Sequence, residues 1–301
     1  MPVELIHTQT SDGVRLDGVL ARPAPGTPTA LPFDAVVLHH GAGASFYTTG
    51  FLGYLTDRFV EQGVAVLRVN SRGHDLLYNS PTGRQGAATE IVGDCVHDWR
   101  AWLDCAEGLG FGRCCVAAHS LGAVKSVYYA ATQGDPRVHS VIAMSPPRFN
   151  FAEFQQRDPT GAFDPTYQRA LALQQTGEAN TMMAFIAPVN TIATAAAYLD
   201  KFGPADNYDV LRYLGQAPVP TLLTMGQQED DGVLKRDVFS FKGMAQHYQM
   251  LAETTPRLTF HVIPGAEHFY RSAMRELWDI IAAWLAPQQA RSAATDAAPA
   301  G

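Results

Sequence analysis

Ser120 lies where a serine side chain could act as a nucleophile. The stretch "CVAAHSLGA" passes from an apolar, strand-like run through Ser120 into Gly122 and a helix-forming segment. A serine flanked by small residues at such a junction is held on a sharp turn that lifts its hydroxyl clear of the sheet. The same turn aims the Leu121 N–H and the helix N-terminus at the point where an oxyanion would form. A plain strand-to-helix turn is the alternative interpretation.

His268 is the histidine best placed to serve as a base for that hydroxyl. It follows the last strand-like segment, "LTFHVI", and precedes the last amphipathic helix. Imidazole can take a proton from a serine hydroxyl and return it to a leaving group near neutral pH. Most other histidines fall on helices or strands, whereas His39 and His74 lie in loop regions that could line a pocket.

A carboxylate is the third group that this chemistry needs, because it orients the imidazole and stabilises its cation. The segment "QQEDDG" follows the strand-like "TLLTMG" and offers Glu229, Asp230 and Asp231. These acids come between Ser120 and His268 in the chain, again at a strand end. Alternatively, these acids form a solvent-exposed loop. Since only one carboxylate can orient the imidazole, we expect the other two to be exposed to solvent.

A glycine-rich loop could complete an oxyanion site. The segment "HHGAGAS" ends the apolar strand "AVVLHH" and carries few side chains that could block a substrate oxygen. We expect the Ala42 N–H to act together with the Leu121 N–H there. Alternatively, Gly41 and Gly43 make only a tight turn.

The elements that must position these residues alternate along the chain. Short apolar strands separated by helical segments predict a mostly parallel sheet covered on both faces, and "VELIHTQTSDGVRLDGVLARP" predicts an antiparallel hairpin before it. Ligands bind at the carboxyl ends of such strands. The alternation stops between Ser145 and Thr221, where the sequence is mostly helical and has no clear buried strand. We predict a core of 1–148 and 216–286, a helical cap over 149–215, and a disordered tail over 287–301.

Composition narrows the class of protein. The 301 residues are 47% hydrophobic with a net charge of −7, which permits a large core and argues against nucleic acid or an anionic membrane as the main partner. No signal peptide and no apolar run of about 20 residues is apparent. The four cysteines lack metal-ligand spacing, so we expect reduced thiols in a cytoplasmic protein.

These motifs together resemble the α/β-hydrolase family over nearly the whole chain, through "VVLHHGAGA", "VLRVNSRGHD", "AAHSLGA", "PTLLTMGQQED" and "IPGAEHF". The resemblance implies Ser120 as nucleophile, His268 as base and a carboxylate after "LLTMG". The family's G-x-x-D offset lands on Glu229, so we favour Glu229 over Asp230, with Asp231 third. Two further departures are Ala118 for the usual glycine and Asn70 where D-x-R-G is commoner.

The resemblance implies a serine hydrolase that cleaves a small-molecule carboxylic ester through an acyl-enzyme, with a lactone or thioester as variants. Serine at the elbow, in place of aspartate, favours acyl transfer over dehalogenation or epoxide hydrolysis. No cofactor or metal is expected, and the oligomeric state stays open. An amidase, a peptidase or a C–C bond hydrolase on the same residues is one alternative. A non-catalytic ligand-binding protein of this fold is the other.

Candidate pocket residues come from the loops and the cap. The plausible aromatic liners, each of which could equally be core, are Phe46, Tyr47, Phe149, Tyr167 and Phe185. Arg148 follows the strand "SVIAMS" and could face an anionic group of a substrate. A salt bridge that anchors the cap is the alternative interpretation for Arg148.

Overall fold

The computed structural model describes residues 2–29, 31–48, 50–81, 83–233 and 238–296. In chain order the strands are β1 (Glu4–Gln9), β2 (Arg15–Ala21), β3 (Ala35–His39), β4 (Ala65–Val69), β5 (Tyr78–Ser80), β6 (Gly83–Gln85), β7 (Cys114–His119), β8 (Val138–Met144), β9 (Met182–Phe185), β10 (Thr191–Thr194), β11 (Thr221–Gly226) and β12 (Leu258–Ile263). The helices are α1 (Phe51–Glu61), α2 (Cys95–Gly108), α3 (Leu121–Gln133), α4 (Phe151–Arg157), α5 (Phe163–Gln175), α6 (Ala195–Phe202), α7 (Val210–Leu214), α8 (Gln227–Asp230), α9 (Val238–Phe241), α10 (Met244–Thr254) and α11 (Met274–Asp296).

Eight strands form one sheet in the order β1-β2-β4-β3-β7-β8-β11-β12. The pairs β1–β2 and β2–β4 are antiparallel, and every later pair in the sheet is parallel. This confirms the predicted mostly parallel sheet with an antiparallel hairpin at its start. The carboxyl ends of β7, β11 and β12 therefore meet at one edge, where ligands of such sheets bind.

Helices cover both faces of the sheet, which explains the continuous apolar strands. All residues of β3 and β7 are buried, and successive side chains of each strand pack against the helices on opposite faces of the sheet. Val37 and Val116 pack with α2, α3 and α10, whereas Val36 and Ala117 pack with α1 and α11. Strands buried on both faces read as unbroken apolar runs rather than alternating ones.

The segment predicted as a purely helical cap contains a β-hairpin. Helices α4, α5 and α6 are present, but β9 and β10 pair antiparallel, with Met182 opposite Thr194. The helical interpretation of "MMAFIAPVNTIAT" is therefore wrong. Pro188 interrupts any helix there, and the β-branched Thr191 and Ile192 favour a strand. The cap has its own apolar cluster, which reaches Leu121 of the core.

The tail also differs from the prediction. Helix α11 continues to Asp296, so residues 287–296 are helical rather than disordered, while 297–301 lie outside the described residues. Alanine, glutamine and arginine are good helix formers, and they extend the helix past Pro287. None of the helices in the described part of the chain has the length and apolar character needed to span a membrane.

Candidate active site

Ser120 occupies a strained backbone position between β7 and α3. Its φ is 56° and its ψ is −127°, a region that side-chain-bearing residues rarely adopt. Glycine is needed at Gly122 in the turn and at Gly41 in the loop that faces it. A Cβ at Gly122 would lie 2.2 Å from the His40 carbonyl oxygen, and one at Gly41 would lie 2.9 Å from Ser120 Cβ. Small residues thus let the serine project from the sheet edge.

His268 and Glu229 lie in line with the Ser120 hydroxyl. The distance from Ser120 Oγ to His268 Nε2 is 3.1 Å, and from His268 Nδ1 to Glu229 Oε1 it is 2.6 Å. Both distances allow hydrogen bonds. The Glu229 side chain is fully buried at the end of β11, and His268 follows β12. Two distant loops therefore meet the elbow at one point.

The second oxygen of Glu229 is held by donors of its own. Gly226 N–H donates to Glu229 Oε2 at 2.7 Å, and the Ser145 hydroxyl donates to the same oxygen at 2.6 Å. Tyr270 in turn contacts the Ser145 hydroxyl at 2.6 Å, and burial together with the Glu229 charge raises the pKa of Tyr270. Ser145 directly follows β8, so its position at a strand end was the only sequence signal for it.

Asp230 and Asp231 do not contact His268. The Asp230 carboxylate accepts a hydrogen bond from the Ala245 N–H at 2.8 Å, and Asp231 is exposed. Asp230 therefore caps the start of α10 instead of orienting the imidazole. The alternative placement of Asp230 in the triad is wrong, and the favoured Glu229 is the acid that the structure brings to His268.

Ala42 and Leu121 present free backbone donors next to Ser120. Both residues line the same cavity as Ser120 and His268. Among the hydrogen bonds of the described residues, none uses the N–H of Ala42 or Leu121. Backbone N–H groups that lie beside a nucleophile can stabilise a developing oxyanion.

Buried neutral histidines fix the loops around the site. His119 Nε2–H donates to the His268 carbonyl at 2.7 Å, and burial, with His268 nearby, lowers the pKa of His119 well below its usual value. His40 accepts from the Ser71 N–H and donates to the Gly41 carbonyl at 2.6 Å. Burial lowers the pKa of His40 to about 3, so it stays neutral and holds the loop that carries Ala42. Neither histidine was predicted from the sequence to have this role.

A cavity of about 400 Å³ opens above Ser120 between core and cap. Its wall is mainly apolar, and the cap supplies half of the lining residues, including the loop of the β9–β10 hairpin. The aromatic residues that line it are Phe149, Phe185, Phe202, Phe241 and Phe269. Lys201 also lines the cavity, and it was not predicted from the sequence to do so. The volume lies in the range of small-molecule pockets.

A comparison with known sequence families assigns the chain to one of them. The sequence profile of the alpha/beta hydrolase family matches residues 36–283 of the chain. The chain belongs to this family. No curated protein matches it.

Solved structures resemble this α/β hydrolase at low sequence identity. Alpha/beta hydrolase GrgF from Penicillium sp. sh18 is 14% identical with a TM-score of 0.65, covering 96% of this chain and 100% of its own. Est1E from Butyrivibrio proteoclasticus is 14% identical with a TM-score of 0.62, covering 96% and 99%. The Pyrococcus furiosus esterase Pf2001 is 17% identical with a TM-score of 0.57, covering 94% and 92%. At these identities the likeness shows the fold alone.

Three predicted substrate-binding residues of this hydrolase lie away from the cavity. Phe46 and Tyr47 belong to a separate surface depression, where the Tyr47 hydroxyl donates to Asp75 at 2.6 Å. The turn at residues 45–48 carries both rings away from the elbow. Arg148 pairs with Glu153 and, at 3.2 Å, with Asp209. It ties the cap to the core, so its predicted substrate contact is wrong.

Of the other three aromatic residues predicted to line the pocket, two do so and one does not. Phe149 and Phe185 line the cavity, whereas Tyr167 packs edge-on against Phe151 in the cap. Among the described residues, no cluster of three or more His, Cys, Asp or Glu side chains could hold a metal ion.

Proposed function

We propose that this α/β hydrolase is a serine hydrolase that cleaves a carboxylic ester of a small molecule through an acyl-enzyme. One observation carries the proposal. Ser120 Oγ lies 3.1 Å from His268 Nε2, and His268 Nδ1 lies 2.6 Å from a buried Glu229 carboxylate. A nucleophile, a base and an orienting acid in hydrogen-bond contact form the arrangement that activates serine for acyl transfer.

The proposed reaction has two halves. Ser120 Oγ attacks the ester carbonyl while His268 accepts its proton, and the N–H groups of Ala42 and Leu121 stabilise the oxyanion. His268 then protonates the leaving alcohol, which departs and leaves the acyl group on Ser120. Water enters, His268 removes its proton, and the second tetrahedral species releases the acid. Glu229 keeps the imidazole oriented and balances its positive charge in both halves.

The cavity supports a small ester with an apolar portion, because most of its lining side chains are aliphatic or aromatic. A lactone or a thioester would react by the same steps. The structural neighbour Pf2001 is itself named an esterase, which makes esters the first substrates to examine. We also propose a cytoplasmic location, since all four cysteines are free thiols and three of them are buried.

A fluorophosphonate probe tests the proposed nucleophile. The probe should attach to Ser120, as located by peptide mass spectrometry, and Ser120→Ala should lose both labelling and ester turnover by several orders of magnitude. Ser240, which also lines the cavity, provides a matched control, and Ser240→Ala should still be labelled. Labelling that persists in folded Ser120→Ala, or turnover near the native rate, would rule the proposal out.

A further inference from the structure

Lys201 brings a positive charge into a mainly apolar cavity. It lies in the last turn of α6, one helical turn after Ala197, and both residues face the cavity that contains Ser120. Among the described residues that line this cavity there is no aspartate or glutamate, and Lys201 is the only lysine or arginine. Lys201 is half-buried, and a cation in mainly apolar surroundings gains from an anionic partner.

No partner for Lys201 lies within the described part of the chain, because none of the hydrogen bonds or ion pairs there involves this side chain. The two nearby carboxylates have other hydrogen-bond partners within the described residues, although the Oε2 atom of Glu90 has none there. Glu90 pairs with Lys125, and Asp200 accepts hydrogen bonds at 2.8 Å from the Val92 N–H and from the Tyr208 hydroxyl. Lys201 therefore keeps its donors available to the cavity.

We propose that Lys201 binds a carboxylate carried by the substrate, so that the enzyme prefers esters with a free carboxylate over neutral esters of the same shape. The inference rests on the proposed function and names its substrate class. The carboxylate would lie at the cap side of the cavity while the scissile carbonyl lies at Ser120. Arg148, the cation that the sequence suggested for this purpose, is occupied by Glu153 and Asp209.

Nearby charges act on the Lys201 amine in both directions. Burial lowers the pKa of Lys201, the charges of Glu90 and Asp200 oppose this effect, and the charge of Lys125 adds to it. A bound carboxylate would favour the charged amine. The competing role for Lys201 is structural, namely to balance the charge of Glu90. The Oε2 atom of Glu90 is buried and has no hydrogen-bond partner in the described residues. Burial raises the pKa of Glu90, and the charge of Lys201 helps Lys125 to lower it. A purely structural lysine would affect every substrate alike.

Matched ester pairs separate the two roles. One pair is mono-p-nitrophenyl adipate and the isosteric ester in which an isopropyl group replaces the carboxylate. The other is 4-acetoxybenzoate and 4-isopropylphenyl acetate, which place the charge on the alcohol side. The proteins are the native chain, Lys201→Met, Lys201→Arg and, as control, Lys242→Met at an exposed lysine.

We expect the native enzyme to prefer the anionic member of at least one pair. Lys201→Met should reduce kcat/KM for that ester by about 10- to 100-fold and leave the neutral ester unchanged, as for loss of a charged hydrogen bond. Lys201→Arg should keep most of the preference, and Lys242→Met all of it. Equal losses for both esters, or no native preference in either pair, would overturn the proposal.

A binding measurement keeps this inference separate from the hydrolase proposal. In the Ser120→Ala variant, which keeps the native Lys201, adipate binding should be measurable by calorimetry. Bound adipate should also protect Lys201 from acetylation, as measured by peptide mass spectrometry. If no ester is hydrolysed but adipate binds and protects, the ester-cleaving proposal fails and the anion site stands. If neutral esters are hydrolysed but adipate neither binds nor protects Lys201, only the anion site is refuted.

Discussion

Glu229 contacts three different parts of the protein through one carboxylate. One oxygen faces His268, and the other receives the Gly226 N–H and the Ser145 hydroxyl. Charge-assisted hydrogen bonds of this kind hold a carboxylate in one orientation. A glutamate can therefore be held beside His268 here, because β11 and the residue after β8 supply donors that fix its long side chain.

Replacing the acid should separate Glu229 from Asp230. We expect Glu229→Gln to lower kcat/KM by about 10²- to 10⁴-fold, because the imidazole loses its charge partner and its preferred tautomer. Asp230→Asn is the matched control and should stay near the native rate, since the Asp230 carboxylate accepts a hydrogen bond from the start of α10 and, among the described residues, none from His268. The measurement is kcat/KM for an ester in both variants, and circular dichroism checks that each variant is folded. Full activity of Glu229→Gln would show that another group orients His268.

At the scale of the elements, the start of α3 packs directly onto the loop that follows β3. Gly122 has no space for a side chain, because a Cβ would meet the His40 carbonyl oxygen at 2.2 Å. That contact sets the distance between the elbow and the loop carrying Ala42. The two backbone donors of the proposed oxyanion site are therefore positioned by one helix-to-loop contact.

Gly122→Ala should disturb both stability and activity. The added methyl group must push the α3 start away from the β3 loop, so we expect a loss of about 1–3 kcal/mol in the free energy of unfolding and a large fall in turnover. Gly108→Ala, at the end of α2, is the control and should be neutral or slightly stabilising, because a Cβ there would meet no atom within 4 Å. Urea unfolding measures both. Equal behaviour of the two variants would contradict the contact argument.

For the whole molecule, acid sensitivity should depend on partly buried carboxylates that hold ion pairs. Asp135 lies between α3 and β8, where Arg137 donates to it at 2.7 Å and the Tyr129 hydroxyl at 2.7 Å. Burial opposes its charge, but the hydrogen bonds from Arg137 and Tyr129 outweigh burial and lower the pKa of Asp135 to about 2. The unfolded chain, with an aspartate pKa of about 3.9, binds more protons in this range.

The stability that Asp135 contributes should therefore be complete above about pH 4 and be lost as the pH falls towards about 2. Asp135→Asn should be less stable than the native protein at neutral pH, and the difference should shrink on acidification. Asp279→Asn, at an exposed ion pair, is the control and should show little effect. Urea unfolding over the acid range provides the measurement. A difference that grows as the pH falls would contradict this assignment.

Local patterns were sufficient for the sheet and for the approximate place of the site. Apolar runs and turn residues act over a few neighbours, so the strand ends that carry Ser120 and His268 could be found from their order in the chain. The same reasoning failed for β9 and β10, where short apolar segments satisfy both helix and strand patterns and pairing with a partner strand decides.

Tertiary structure alone decided which side chains face the cavity. Glu229 and Asp230 are neighbours of similar chemistry, and only the packing of α8 against β11 buries one and turns the other towards α10. Lys201 in the cap and Arg148 next to the cap are both cations, yet one lines the cavity and the other is paired. The direction of a side chain depends on contacts between segments far apart in the chain, and no local pattern contains those contacts.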